Sequence, residues 1–350
     1  MTNAPAFAIS RDMAEPKTLL VTGGAGFIGS CFVSQCIARG QKVIVLDKLT
    51  YAGHRANLAH VANGPCELIV GDICDGPLVA QLLQEHAVDA LVHFAAESHV
   101  DNSIESPGEF ITTNILGTYA LLEAARQYAP TRSDFRFLQV STDEVYGTLE
   151  DDGFFTEDRA KQPNSPYSAS KAAGDHLARA WFHTYGLPVI TTNCSNNYGP
   201  RQYPEKLIPL MIRHALAGKP LPVYGEGKNI RDWIHVEDHC HGVYLALTKG
   251  QLGETYLFGG RSERRNLQVV EAICDMLSEL RPGPDYCSLI TFVTDRAGHD
   301  WRYAIDDSKA EAELGFRRTY QQFEDGLRAT IAWYLDNDAW CQEVTEEKEA

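Results

Sequence analysis

The chain has 350 residues, of which 44% are hydrophobic and 22% charged, a balance that suits a soluble globular protein of one large or two interlocked domains. Its 47 Asp and Glu outnumber 31 Lys and Arg and give a net charge of −16, which argues against a nonspecific binder of nucleic acid or of an anionic membrane. The 9 cysteines are odd in number and scattered without a C-x-x-C pair, and no apolar run reaches membrane-span length, so the expectations are reduced thiols, a cytoplasmic location, no metal and no membrane.

Residues 1–16 lack a basic start followed by a long apolar stretch and read as a flexible tail. The apolar run Thr18–Val21 leads into Thr22-Gly23-Gly24-Ala25-Gly26-Phe27-Ile28-Gly29 and then an apolar-periodic segment to Arg39, the pattern of strand, glycine turn and helix. Gly24, Gly26 and Gly29 match G-x-G-x-x-G, while Gly23, Gly26 and Gly29 match G-x-x-G-x-x-G. Such glycines allow a tight turn that brings a helix N-terminus to a pyrophosphate. A second strand, Lys42–Leu46, ends at Asp47, where a carboxylate accepts hydrogen bonds from an adenosine ribose and repels a 2′-phosphate, favouring NAD over NADP.

Farther on, strand-like runs at Cys66–Val70, Ala90–Ala95, Phe135–Ser141 and Leu187–Cys194 alternate with helical patterns at Pro77–His86, Asn114–Ala129 and Ser168–Tyr185. This alternation predicts an α/β fold, a Rossmann-type doubly wound parallel sheet. After Tyr198-Gly199-Pro200 the elements shorten, which predicts a smaller C-terminal substrate-binding domain. The expected division is a tail at 1–16, an NAD-binding domain at 17–197 with 232–260 returning to it, a substrate-binding domain at 198–231 and 261–340, and a tail at 341–350.

Thr142-Asp143-Glu144 falls at the C-terminal end of the Phe135–Ser141 strand, where open α/β sheets place ligands. Taken alone it is more simply a polar strand exit. Tyr167 and Lys171 are spaced i,i+4 on a predicted helix and share a face. In a redox site, a lysine ammonium beside a tyrosine lowers the phenol from about 10 toward operating pH, so that it takes a hydroxyl proton.

Together with Thr142, the Tyr-x-x-x-Lys pair resembles the site of the extended short-chain dehydrogenase/reductases. The resemblance narrows to the dTDP-glucose 4,6-dehydratases in six stretches: Asp47 to Gly53, Ala95 to Asp101, Ser141 to Gly147, Ser165 to Lys171, Asn193 to Pro200, and Arg296 to Asp300 with Arg302 and Tyr303. It spans about residues 17 to 340. The stretch between Gly147 and Phe155 looks short for that family, and residues 1–16 are an extension.

The resemblance implies that Thr142, Asp143, Glu144, Tyr167 and Lys171 are catalytic. Beside the turn glycines Gly23, Gly26 and Gly29, it implies cofactor contacts from Phe27, Ile28, Asp47, Lys48, Thr50, Asp72, Ile73, Ala95, Ala96, Tyr167, Lys171 and Asn197. Contacts to the sugar nucleotide are implied for Ser98, Thr142, Asn196, Lys206, Leu207, Tyr224, Arg231, Asn266, Arg296 and His299. Lys206, Arg231 and Arg296 would then give an acidic protein a cationic place for a diphosphate. Asp300, Arg302 and Glu205 are left unassigned.

The implied activity is NAD-dependent loss of water from dTDP-glucose: oxidation at C4, elimination across C5 and C6, and return of hydride to C6. Its product would feed deoxysugar biosynthesis, with rhamnose as one outlet. A UDP-glucose dehydratase and a nucleotide-sugar 4-epimerase are the alternatives, although epimerases generally lack the Asp-Glu pair. A non-catalytic NAD-binding regulator would be expected to have lost some of the five catalytic residues. Apolar faces on the helices at Asn114–Ala129 and Ser168–Tyr185 would pair two copies as a homodimer, and the same faces also suit an ordinary core.

Overall fold

The computed structural model describes residues 15–295 and 298–346. The expected N-terminal tail therefore lies, up to residue 14, outside the described residues, as do residues 347–350 and Arg296.

The first half of the chain alternates strands and helices: β1 (Thr18–Thr22), α1 (Phe27–Ala38), β2 (Lys42–Asp47), β3 (Cys66–Val70), α2 (Gly76–Glu85), β4 (Ala90–His93), α3 (Val100–Glu105), α4 (Pro107–Ile111), α5 (Thr118–Tyr128), β5 (Arg136–Thr142), α6 (Pro166–Tyr185) and β6 (Val189–Cys194). The second half holds β7 (Asn196–Tyr198), α7 (Leu207–Leu216), β8 (Leu221–Tyr224), β9 (Ile230–His235), α8 (Val236–Lys249), β10 (Thr255–Phe258), β11 (Glu263–Arg265), α9 (Asn266–Leu280), β12 (Ile290–Val293), α10 (Phe323–Asp336) and α11 (Asp338–Glu346).

Seven strands form one parallel sheet in the order β10-β6-β5-β4-β1-β2-β3. This is the predicted Rossmann-type sheet, and its order reverses between β1 and β4. A crevice opens at such a reversal, beyond the C-terminal strand ends. Period-two alternation fills both faces. Leu19, Val21, Val43 and Val45 pack with Phe32 of α1 and Val243 of α8, whereas Leu20, Ile44 and Leu46 pack with Leu82 of α2 and Leu121 of α5.

A separate apolar cluster lies among α7, α9 and α10, with Ile208, Met211, Ile273, Leu327 and Ile331 at its centre. Trp340, Cys341 and Val344 of α11 are buried in it, so the stretch expected to be a tail from 341 begins as a packed helix. The polar composition of 341–350 hid this, because three apolar side chains suffice to seat one helix face. β9 pairs with β7 in parallel and with β11 antiparallel, which sets the second half of the chain against the C-terminal ends of the large sheet.

The helix expected at Asn114–Ala129 starts earlier. Pro107 opens α4, which continues through π-helical Thr112–Gly117 into α5. Within that wide turn the Asn114 side chain accepts from Glu97 N at 2.9 Å and donates to Glu97 O at 3.0 Å and Ser170 Oγ at 2.8 Å, tying the turn to α6. Single π turns recur at functional sites.

The glycine turn depends on two close approaches. Gly23 has φ +70°, and a Cβ there would lie 2.5 Å from Ala95 N. A Cβ on Gly29 would collide with the Gly23 carbonyl oxygen, an atom of backbone that has nowhere to go. Gly29→Ala is expected to lower the midpoint of urea unfolding by an amount worth about 1–3 kcal/mol, the usual range for overpacking. An unchanged midpoint would contradict this packing.

Candidate active site

A cavity of about 350 Å3 opens at the sheet's reversal point. It is lined at one end by Gly23, Gly26, Phe27, Ile28 and Gly29 and at the other by Thr142, Asp143, Glu144, Tyr167 and Lys171. The remaining expected cofactor contacts, Asp47, Lys48, Thr50, Asp72, Ile73, Ala95, Ala96 and Asn197, line it as well.

At the glycine end, Gly26 caps α1 without a side-chain hydrogen bond, so the helix presents first-turn N–H groups to the cavity. Asp47 is buried at the end of β2. Its Oδ2 accepts from Ala25 N at 2.9 Å, and its Oδ1 accepts from Leu49 N at 2.8 Å. Leu49 stands at φ +56°, a conformation unfavourable for a leucine, which the bond from Asp47 helps to hold. Burial raises the Asp47 carboxyl above its ordinary value, against the pull of these two N–H groups. A carboxylate has about four acceptor positions, so capacity remains for a ribose.

Lys48 forms an ion pair with Asp72 at 2.8 Å, and the Asp72 hydrogen bond raises its ammonium above the ordinary value. Its charge is thereby matched by a neighbouring carboxylate. A turn that a Cβ would fill, an uncapped helix start and an acceptor at the strand end fit NAD.

The opposite end is built by β5 and α6. All seven residues of β5 are buried, and the strand passes directly into a 3-10 turn, Asp143–Tyr146. Thr142 caps that turn: its Oγ1 accepts from Glu144 N at 3.3 Å and donates to Asp143 Oδ1 at 3.3 Å. Asp143 is 1% exposed, and its Oδ2 is buried with no hydrogen-bond partner among the described residues. Burial, then the charges of Glu144 and Asp232, push its carboxyl well above the usual range. Glu144, one residue on, is only half-buried.

A Ser165–Ser168 capping box and Pro166 at the first turn start α6, placing Tyr167 and Lys171 on its buried face. Here the structure differs from the sequence expectation. Burial, followed by the charge of Glu144, drives the Tyr167 phenol well above its ordinary value; a Thr142 hydrogen bond pulls the other way. Lys171 is itself lowered by burial, and its Nζ donates to the Val140 carbonyl at 2.8 Å. Burial sets the direction for both groups.

The expected sugar-nucleotide residues divide. Ser98, Thr142, Asn196 and Lys206 line the cavity, with Lys206 Nζ donating to Ser98 O at 3.3 Å. Leu207 is the next residue and begins α7. Tyr224 ends β8 and donates to Asp101 Oδ2 at 3.3 Å, whereas His299 bonds Asp295 Oδ1 at 2.6 Å, 6.3 Å ring to ring from Tyr224. Asn266 opens α9, and Arg296 lies outside the described residues.

Arg231 is buried in β9 and lies over the Tyr303 ring at 4.2 Å. It donates to the carbonyls of Ile230 (2.7 Å), Trp301 (3.4 Å) and Asp300 (3.0 Å). Of the two described cations among the three expected at a diphosphate, Lys206 lines the cavity and Arg231 lies in β9 behind it. Arg231 reads as an isolated basic residue in the sequence because nothing there shows that carbonyls surround it.

Tyr51, Glu97 and Tyr203 also line the cavity and were given no role from sequence. Tyr51 and Glu97 lie within the motif stretches, which is the one signal that pointed to them. Among the unassigned residues, Asp300 accepts from Tyr303 Oη at 2.6 Å and from Asn164 Nδ2 at 2.7 Å, and Arg302 forms a two-bond pair with Glu263.

An acid whose folded value is raised does not disfavour folding below its unfolded value, near 3.8 for Asp143, and disfavours it increasingly as pH climbs toward the raised folded value. Asp143→Asn keeps the shape and removes the ionisation. Its melting temperature is expected to exceed that of the wild type by a margin that widens from about pH 5 to about pH 8. A margin that stays constant or narrows would show that Asp143 is not held neutral.

Residues 20–330 match the model of the GDP-mannose 4,6 dehydratase family. The chain is 59% identical to a dTDP-glucose 4,6-dehydratase of Xanthomonas campestris pv. campestris (strain B100), over 94% of this chain and 96% of that one. DesIV, a dTDP-glucose 4,6-dehydratase from Streptomyces venezuelae solved with NAD and TDP bound, superimposes with a TM-score of 0.88 at 48% identity, covering 93% of this chain and 99% of that one. A UDP-glucose 4-epimerase from Thermus thermophilus in complex with NAD is 30% identical, with a TM-score of 0.82 over 91% of this chain and 99% of its own. The dehydratases thus stand well above the epimerase in identity, and this chain belongs to the dTDP-glucose 4,6-dehydratase family.

Proposed function

We infer that this chain uses NAD to convert dTDP-glucose to dTDP-4-keto-6-deoxyglucose, as a hydro-lyase of deoxysugar biosynthesis. The observation that carries the inference is Asp143, a buried carboxyl pushed toward its neutral form, immediately beside the more exposed Glu144 and in the same cavity as the glycine turn. A simple dehydrogenase has no use for that pair; an elimination needs both an acid and a base.

When bound, NAD supplies a hydride acceptor and donor for the sugar. Tyr167 takes the proton of the C4 hydroxyl as C4 becomes a ketone, a role in which the positive charges of Lys171 and of bound NAD would have to offset the burial that raises the phenol. The ketone makes the C5 proton acidic. Glu144 removes that proton while Asp143 protonates the C6 hydroxyl as it departs. Reduction at C6 completes the sequence, so the net change is loss of water.

Ser98, Asn196 and Lys206 lie on the cavity wall where they hold the sugar nucleotide in this reading, and Lys206 meets its diphosphate. Leu207, Tyr224, Asn266, Arg296 and His299 complete its binding from the second half of the chain, and Arg231 supports them from within β9. Residues 17–197 with 232–260 form the NAD-binding unit, and 198–231 with 261–340 the sugar-nucleotide unit; β10 in the large sheet and the separate apolar cluster of α7, α9 and α10 support this division.

The enzyme acts as a homodimer. Support comes from Ile111, Leu116, Tyr119 and Tyr185, large apolar side chains left 46–54% exposed along α4 to α6. No described helix is long and apolar enough to cross a membrane. A cytoplasmic location is favoured by nine cysteines that are all free.

dTDP-glucose carrying deuterium at C4 is expected to yield product with the label in its C6 methyl group, while unlabelled substrate in heavy water gains deuterium at C5. Mass spectrometry and NMR read the two positions. Escape of the C4 label from the sugar, or a product that keeps its C6 hydroxyl, would contradict the dehydratase assignment. Glu144→Gln is expected to slow elimination at least about 100-fold, the usual contribution of a general base, while cofactor reduction persists. Dehydration at the wild-type rate would assign the C5 proton to another group.

A further inference from the structure

Asp175 lies one turn beyond Lys171 and two beyond Tyr167 on the buried face of α6, and is 2% exposed. The reaction described above gives it no part. Its Oδ2 pairs with Lys161, in the segment leading into α6, and accepts from Asn193 Nδ2 at 3.2 Å. Its Oδ1 is buried without a hydrogen-bond partner among the described residues, so this carboxylate has acceptor capacity beyond the Lys161 pair. Asn193 stands opposite Ser141 in the β5–β6 pairing, and its Nδ2 also donates to the Thr142 carbonyl at 2.9 Å. One buried anion thus touches, directly or through Asn193, the helix that carries Tyr167 and Lys171 and the strand end that carries Thr142, Asp143 and Glu144.

We propose that Asp175 is a positioning residue: held by Lys161 and Asn193, its carboxylate is the fixed counter-charge of Lys171 and the anchor of the Thr142 carbonyl. The proposal rests on the dehydratase reading. Around Lys171, burial lowers the ammonium, Asp175 and Cys194 of β6 raise it, and Lys161 lowers it. From β4, the buried His93 ring faces it and is held well below its ordinary value by burial and then by Lys171. Asp175 is the largest influence that keeps this buried lysine charged.

Removing its charge therefore leaves two ammonium groups in one pocket. Lys171 loses its proton at lower pH, and activity that needs the cation falls at lower pH on the alkaline side. Asp175→Asn is the sharp test. The double variant Lys161→Met/Asp175→Leu removes both charges, so that no buried ion is left unpaired. Two readouts follow Lys171 in the holoenzyme: the alkaline limb of kcat, and the ε-carbon titration of 13C-labelled lysine, assigned with Lys171→Met.

Both readouts are expected to shift to lower pH by the largest amount in Asp175→Asn and by a smaller amount in the double variant, with KM for dTDP-glucose changed by less than about threefold, the mark of an effect outside ground-state binding. A limb and a lysine titration that stay at wild-type positions in the double variant, or in a folded Asp175→Asn, would overturn the proposal. The titration needs no substrate. A wild-type enzyme that fails to dehydrate dTDP-glucose therefore counts against the dehydratase reading and leaves the titration result standing.

Discussion

Two adjacent carboxyls can work as acid and base only if their surroundings separate them, and in this chain the separation comes from burial. Asp143 is enclosed at the foot of the cavity with the charges of Glu144 and Asp232 nearby, so its neutral form is favoured. Glu144 faces the cavity. An i,i+1 pair in an extended strand would point to opposite sides. The 3-10 turn, capped by Thr142, brings both into one site.

That arrangement needs a rigid support, and the parallel sheet provides it. β5 is buried throughout its length, paired with β4 as far as Gln139 and with β6 as far as Thr142, so its C-terminal end is held on β6. β6 contributes Asn193, which reaches back to Thr142, and α6 packs across the same strand end through Lys171 and Val140. Carboxyls, phenol and lysine are thereby held on one frame, though far apart in sequence. The same frame places them across the cavity from the glycine turn, where Asp47 organises both the turn and the left-handed Leu49.

Much of this was legible in the sequence where the signal was local. The Gly23 to Gly29 spacing, the apolar runs of β1 and β2 and the Tyr167–Lys171 spacing each reflect a short-range rule, and the structure places the turn glycines and the Tyr167–Lys171 pair around one cavity. Long-range electrostatics were not legible. The i,i+4 spacing predicted that Lys171 would bring Tyr167 toward operating pH, but the depth at which both are buried, and the proximity of Glu144, depend on elements folded from distant segments. The surroundings of Arg231 were hidden for the same reason: the three backbone carbonyls it donates to come from two distant chain segments. The π turn at Thr112–Gly117 had no sequence mark, because it is stabilised by the reach of Asn114 to Glu97 and Ser170.

The protonation of Asp143 at neutral pH is the point on which the division of labour turns, and infrared spectroscopy reads it directly. A protonated carboxyl has a carbonyl band well separated from carboxylate bands. Difference spectra of wild-type and Asp143→Asn holoenzyme at about pH 7 are expected to show one such band, present in the wild type and lost in the variant. A spectrum in which the substitution removes a carboxylate band would mean that Asp143 is ionised, and would contradict its assignment as the acid.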